Sequence, residues 1–513
     1  MNNYRSHYFK IYLWKSISIL LGLISMFIVI PYLSSCKTLY GIYSVCTSLT
    51  IFFSYADLGF LSSGIKYAAE AYIKGDYNNE VRIVGFTAFF MTLIFMLVDL
   101  FILFLAFYPQ WLIPELVPDT EQYSIAKSLI LLLALGCPLI IGQRVLQIIY
   151  IIRVEENKFQ RILFFASVLR IISVFFFFRN GSYDIVGYYL FYQIVNLFII
   201  IVAFYDIGRY GYKMRDILNS YKFDKQVFDK EKALSISSFI FMLSMIFYNE
   251  LDQIAISKMY GVEVVSIYAI AFSIMTYMRT YSGLIYSPFT SRYNHFTGLG
   301  DYEGLVKFTK NIILVFSPIL IIPLINVALY ADVLVLSWVG DEYKSSYILI
   351  GWMVLSYATN FITTPLSSYM TAMEKNQKIV IGAIALPLIY WGGILIFSKY
   401  VGYQSFAIMK FLGPLFLVYY YWSVVIKDIK KLGSGFINFR ELFVSVVPSI
   451  LVSVIFFYLI KPLLSCSYGV QFFAHNLIIV IVGITISLFS ALCFNVGLRK
   501  TIVNYVKLML NRK

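Results

Sequence analysis

Apolar runs of membrane-spanning length set the terms for this chain. A helix needs roughly 20 apolar residues to cross a bilayer. Runs of that order succeed one another at about 11–32, 39–65, 83–107, 127–152, 162–178, 185–205, 233–256, 264–287, 308–330, 346–371, 379–397, 404–426, 442–460 and 470–498, fourteen in all. They are continuous rather than alternating, which argues for helices and against an outer-membrane barrel. Hydrophobic residues make up 60% of the 513 and charged residues 13%, where a globular protein carries roughly 25% charged. That balance excludes a soluble enzyme and a disordered chain. The expected fold class is all-α integral membrane, with about fourteen transmembrane helices.

The formal charge of +14 comes from 41 Lys and Arg against 27 Asp and Glu. Its distribution reads as the positive-inside bias of a membrane protein, not as a nucleic-acid footprint. With the N-terminus in the cytoplasm, each external loop holds one basic residue: Lys37, Lys127, Arg179, Lys258, Lys344, Lys399 and Lys461. The cytoplasmic segments hold two to seven each. The alternation holds at every loop and predicts that both ends lie inside. The first run lacks a small-residue cleavage site, so no cleavable signal peptide is expected.

Every connection is short except the one at 206–232. The expected organisation is a six-helix lobe at 1–206, a cytoplasmic linker at 207–232, a second six-helix lobe at 233–430, and two additional helices with a basic tail at 431–513. An internal repeat supports two lobes of parallel orientation. Gly41-Ile42-Tyr43-Ser44, followed by Ser48, returns as Ser266-Ile267-Tyr268-Ala269, followed by Ser273. The loop Glu156-Asn157-Lys158-Phe159-Gln160-Arg161-Ile162 returns as Glu374-Lys375-Asn376-Gln377-Lys378-Ile379 with one residue fewer.

Catalytic chemistry has little to work with. The five cysteines form no CxxC pair and the three histidines are scattered, so neither a metal site nor a Ser-His-Asp triad is supported. The longest external loop, about 108–126, holds Trp111, Pro114 and Pro118 and is too small for a catalytic domain. No cofactor and no enzyme activity are expected.

The informative residues are polar ones inside the apolar runs. An ionisable side chain at the bilayer centre costs roughly 2.5 to 3.5 kcal/mol on insertion scales. Such a group should face protein or a watery cavity. The second run carries Thr47, Thr50, Ser54 and Asp57 on one helical face. The eighth carries Ser273, Thr276, Thr280, Gly283 and Ser287, with Arg279 beside them. Hydroxyls at this spacing also serve as glue between helices, and Asp57 and Arg279 tip the reading toward a cavity. Arg144, Arg170 and Arg279 are basic residues within spans, and Lys410 lies in the outer part of the twelfth. Pairing with Asp57 or Asp99, or snorkelling, is the alternative use for them. Guanidinium groups suit phosphate oxygens, so they point to an anionic ligand rather than an organic cation. Glu250 and Asp252 end the seventh run, where they either bind a coupling cation or proton or pair with a neighbouring helix.

These residues resemble a known family. Pro31-Tyr32-Leu33 leads into Leu39-Tyr40-Gly41-Ile42-Tyr43, and Asp57-Leu58-Gly59-Phe60 closes the second run. Leu251-Asp252-Gln253-Ile254-Ala255-Ile256 runs to Gly261 and then Ser266-Ile267-Tyr268. Over about 1–430 the chain is similar to the polysaccharide-transporter branch of the MOP (multidrug/oligosaccharidyl-lipid/polysaccharide) exporter superfamily. Within it the likeness is to Wzx-type O-antigen or capsule repeat-unit flippases. The resemblance implies an inner-membrane protein that moves an undecaprenyl-diphosphate-linked oligosaccharide from the cytoplasmic to the outer leaflet, with a cation gradient (H+ or Na+) driving the cycle. It implies diphosphate binding by cavity cations, here Arg144, Arg170, Arg279 and Lys410. Coupling would fall to Asp57, Glu250 and Asp252, and Thr47, Ser54, Thr276 and Thr280 would line the cavity. Partners would be the lipid-linked sugar, membrane lipids and other polysaccharide-assembly proteins, with no nucleic acid. The competing readings are a multidrug or organic-cation antiporter of the same superfamily, a repeat-unit polymerase, and a peptidoglycan-precursor flippase.

Overall fold

The computed structural model describes residues 2–55, 59–153, 155–179, 182–208, 214–286, 289–431, 435–495 and 499, with side chains from Leu13 onward except those at 15, 54–55, 62, 214, 230, 233–238, 241, 290–291, 294 and 439. Among the described residues the chain is helical, without strands. It divides into two compact units, Met1–Ser266 and Ile267–Lys513.

The first unit holds α1 (Asn2–Leu33), α2 (Lys37–Ser48), α3 (Thr50–Tyr55), α4 (Phe60–Ile73), α5 (Tyr77–Phe107), α6 (Glu121–Ile152), α7 (Glu156–Phe177), α8 (Ile185–Ile207), α9 (Met214–Ser220), α10 (Lys225–Asn249) and α11 (Asp252–Tyr260). Helix α12 (Val262–Tyr286) begins at its end. The second unit continues with α13 (Thr290–Gly298), α14 (Tyr302–Leu329), α15 (Ala331–Val339), α16 (Ser346–Ser356), α17 (Asn360–Ala372), α18 (Asn376–Val401), α19 (Gln404–Lys431), α20 (Phe439–Ile460) and α21 (Val470–Phe494).

Eleven helices among the described residues are long and apolar enough to cross a membrane. The expected runs at 39–65, 233–256 and 346–371 are not among them. The first is cut into α2, α3 and α4, and the third into α16 and α17 around a 3-10 turn at Tyr357–Thr359. Hydroxyls that bond nearby carbonyls stand at both cuts. Thr47 Oγ1 donates to the Tyr43 carbonyl (2.8 Å), Ser48 Oγ to Val45 (2.6 Å) and Thr50 Oγ1 to Thr47 (2.7 Å). Ser356 Oγ donates to Met353 (2.6 Å) and Thr359 Oγ1 to Ser356 (2.7 Å). Side chains that bond nearby carbonyls compete with the helical ladder and bend it. The middle run becomes α10 followed by the short α11.

The two units repeat one backbone pattern. Gly75 and Gly300, at φ +72° and +69°, end α4 and α13 in the left-handed conformation. The next residues close the same six-to-one bond, Asp76 N–H to the Ala71 carbonyl and Asp301 N–H to Phe296, both 3.0 Å. This is the glycine-terminated Schellman stop. Each aspartate then caps the following helix, Asp76 accepting from Asn79 N–H (3.1 Å) and Asp301 from Gly304 N–H (2.8 Å). A second copy of the bond joins Glu155 N–H to Tyr150 (2.9 Å) and Lys375 N–H to Met370 (2.8 Å). That is the loop whose sequence repeats.

At its polar end the first unit is fastened by ion pairs. Buried Glu80 pairs with Arg153 at 3.2 Å, and the Arg153 guanidinium covers the Tyr72 ring at 4.1 Å. The segment before α10 is fixed to α5. Tyr77 donates to Asp216 (3.2 Å), Ser220 rests on Gly85, and Arg82 holds both Asp224 and Gln226. The Arg82 guanidinium keeps the Asp224 carboxyl below the usual carboxylate range.

In the second unit α20 and α21 are docked on α14 by a polar ladder. Lys310 meets Glu441 at 2.8 Å, Ser317 meets Ser445 at 3.4 Å, and Asn326 donates to Ser453 at 3.1 Å. Ser453 Oγ donates to Ser487 Oγ at 2.8 Å. Glu441, Ser445 and Ser453 stand at multiples of four residues, so one stripe of α20 carries these three contacts, while α21 packs Ala491 against Val315 and Ile322 of α14.

Candidate functional site

The polar residues inside the first unit converge on α8. Gln193 and Asn196 stand three apart and share a face of that helix. Asn196 Oδ1 accepts from Arg170 Nη2 of α7 (2.7 Å) and from Gln143 Nε2 of α6 (3.2 Å). Its Nδ2 donates to Gln193 Oε1 at 2.9 Å, and its backbone carbonyl accepts a second bond from Gln143 at 3.1 Å. Gly136 makes room for this group, since a Cβ there would stand 2.7 Å from Gln193 Oε1.

Aromatic rings close one side. The Arg170 guanidinium lies over Tyr192 at 3.8 Å, Tyr192 stacks on Tyr189, and Tyr189 meets Tyr43 edge-on. A cation over an aromatic face is held by the ring quadrupole without being neutralised. Among the described residues no carboxylate pairs with Arg170. Its Nε–H is buried and has no acceptor among the described residues. The arrangement leaves an intramembrane positive charge with a donor to spare.

The expected residues fall in different places. Arg144 is half-buried on α6, beside Gln143 but outside the network, and bonds to no described residue. Arg279 is half-buried on α12. Lys410, on α19, is buried, its ammonium 4.8 Å from the centre of the Tyr390 ring. Glu250 and Asp252 are both buried at the junction of α10 and α11, with Asp252 in the first turn of α11. A carboxylate is favoured there by the exposed N–H groups of a helix start. Thr47, Thr276 and Thr280 are half-buried, and each donates its hydroxyl proton to the preceding turn of its own helix, to Tyr43, Phe272 and Thr276. Asp57 and the Ser54 side chain lie outside the described residues. Among those described, no group of three or more His, Cys, Asp or Glu is placed to hold a metal ion.

Asn196, Gln193 and Tyr192 were not singled out by reading the sequence. Two carboxamides three residues apart in an otherwise apolar run were the available signal.

A family model described as polysaccharide biosynthesis protein matches residues 6–293. No curated protein matches the chain in sequence. Solved structures match over most of its length. The lipid II flippase MurJ, in an inward-closed conformation, aligns with a TM-score of 0.66 at 14% identity, over 93% of this chain and 97% of that one. An inward-facing multidrug-resistance MATE family transporter of the MOP superfamily aligns at 0.58 and 14%, over 79% and 96%. A MOP superfamily transporter from Pyrococcus furiosus aligns at 0.52 and 12%, over 82% and 95%. At these identities the likeness is one of fold, and the fold is that of the MOP transporters.

Proposed function

We propose, because the chain belongs to the polysaccharide biosynthesis protein family, that it is a flippase for a lipid-linked oligosaccharide. The substrate we infer is an undecaprenyl-diphosphate-linked repeat unit of a surface polysaccharide, O-antigen or capsule. It passes from the cytoplasmic to the outer leaflet of a bacterial inner membrane by alternating access, and the protein acts as a transporter rather than an enzyme.

One observation carries the reading. Arg170 sits within a membrane-spanning helix, held by an amide and a ring and by no carboxylate among the described residues. A charge in such a place is expensive and marks a functional site. Guanidinium geometry matches phosphate oxygens. An organic-cation antiporter would want the opposite sign, so that reading is the weaker one. MurJ, which shares the fold, is a flippase of lipid II.

In this account Arg144, Arg170, Arg279 and Lys410 hold the diphosphate. Thr47, Ser54, Thr276 and Thr280 line the path of the sugar. Asp57, Glu250 and Asp252 take up a coupling proton or sodium ion. A ligand moves a two-state equilibrium only through its different affinity for the two states, and ion binding at these carboxylates would supply that difference. Fourteen spans in two six-helix lobes, at 1–206 and 233–430 with a linker at 207–232, two further helices in 431–513, and both ends in the cytoplasm complete the proposal.

The test is made in cells that build the polysaccharide. Arg170→Ala and Arg279→Ala, at normal protein level, should lower surface polysaccharide and leave lipid-linked sugar on the cytoplasmic leaflet. Normal export in both would remove these arginines from the mechanism.

A further inference from the structure

Asn196 does more than fill space beside Arg170. Three contacts fix which way its carboxamide points. Nδ2 gives its proton to Gln193 Oε1, while Oδ1 takes protons from Arg170 and Gln143. Turned over, the amide would set its NH2 group against two donors. Gln193 is itself seated against the bare Cα of Gly136. The relay from Gly136 through Gln193 to Asn196 therefore presents one neutral oxygen to the guanidinium.

That choice of acceptor has an electrostatic consequence. Aspartate has the same shape and would bind a guanidinium more strongly, but it would cancel the charge. An amide fixes the direction of the guanidinium and leaves the charge in place. The ring of Tyr192 behaves in the same way. Nε–H, buried and without an acceptor among the described residues, is a donor left unused within the protein.

We propose that Asn196 is a positioning residue that holds Arg170 through a neutral acceptor, so that the guanidinium meets a phosphate group of the substrate with its charge uncompensated. The inference rests on the flippase reading, and names the residue that makes Arg170 effective.

The experiment titrates the purified full chain in detergent with inorganic pyrophosphate, following bound ligand by calorimetry. Arg170→Gln sets the background from the remaining basic residues. Asn196→Asp should weaken binding above that background roughly tenfold or more, as expected for a charged hydrogen-bonding group taken out of use. Its elution as a single folded species like the unaltered chain separates lost binding from lost fold. Asn196→Ser, which keeps a neutral oxygen, should bind more tightly than Asn196→Ala. If the Asp variant fails to fold, the Ser and Ala pair carries the test. Equal binding by Asn196→Asp and the unaltered chain, or by Ser and Ala, would overturn the role of Asn196 and leave the flippase reading standing. No pyrophosphate binding above the Arg170→Gln background would overturn both.

Discussion

Arg170 and Tyr390 stand equally far into the helices that follow the repeated loop. Arg170 lies 14 positions after Glu156, the first residue of α7, and Tyr390 lies 14 after Asn376, the first of α18. The next helix completes a cation–ring pair in both units. Tyr192, 7 positions into α8, receives Arg170, and Lys410, 6 positions into α19, covers Tyr390. Cation and ring have exchanged helices while the pair has kept its level. Each unit thus holds one basic group against an aromatic face between its α7-type and α8-type helices.

Lys410 is 1% exposed. A lysine that holds the substrate diphosphate cannot be replaced by an uncharged side chain of similar length without loss of that contact. Lys410→Met, at normal protein level, should lower transport, and Lys410→Arg should retain more of it. Equal transport by Lys410→Met and the unaltered chain would remove Lys410 from the substrate path.

The Glu80–Arg153 pair makes the opposite prediction. Removing one member leaves a buried charge without its partner, which destabilises by about 3 kcal/mol or more. Glu80→Ala should lower the unfolding temperature sharply, and the double change Glu80→Ala with Arg153→Met should recover part of the loss. A thermodynamic cycle completed with Arg153→Met alone measures the coupling, and additive losses would mean that the pair is incidental.

Asn326 joins α14 to α20 through Ser453, buried in a helix contact. Hydrogen bonds between membrane helices contribute roughly 0.6 to 2 kcal/mol. Asn326→Leu should loosen the α20–α21 pair from α14 by that order. Limited proteolysis between α19 and α20 would read it as faster cleavage, with unchanged cleavage contradicting the ladder.

The Asp224 contact gives a pH signature. Its carboxyl is held below the ordinary range by Arg82, first through their hydrogen bond. A lowered folded-state value means the contribution is present at neutral pH and disappears as pH falls below the unfolded carboxylate value, near 4. The Arg82 side of the pair is exposed to solvent, so the effect is at most about 1 kcal/mol. Asp224→Asn should be less stable than the unaltered chain at pH 7, and the difference should shrink as the solution is acidified. A difference independent of pH would show that the ion pair is not its source.

Much of this was legible in residue order. Apolar runs mark the helices because a backbone in lipid must satisfy its own hydrogen bonds. Arg170 was visible for the same reason in reverse, as a charge where none should be. The repeat was only half seen: Gly75-Asp76-Tyr77 and Gly300-Asp301-Tyr302 are a third match at the spacing of Gly41 and Ser266, and they build identical helix stops. The cuts in the second and tenth runs fall where hydroxyls bond their own carbonyls, a local detail that hydropathy does not register. Asn196 was hidden because its work is done across helices. Its partners Gln143 and Arg170 stand 53 and 26 residues away, and nothing in the order of residues says that an amide, rather than a carboxylate, meets the guanidinium.

The account rests on translocation of an anionic lipid-linked sugar. The direct measurement places the purified protein in vesicles containing undecaprenyl-diphosphate-linked oligosaccharide and follows its exposure to a membrane-impermeant lectin or hydrolase. The account predicts that sugar on the protected leaflet becomes accessible faster with the protein than with empty vesicles, and that Arg170→Ala abolishes the difference. Equal rates with and without protein, alongside efflux of an organic cation from the same vesicles, would contradict it.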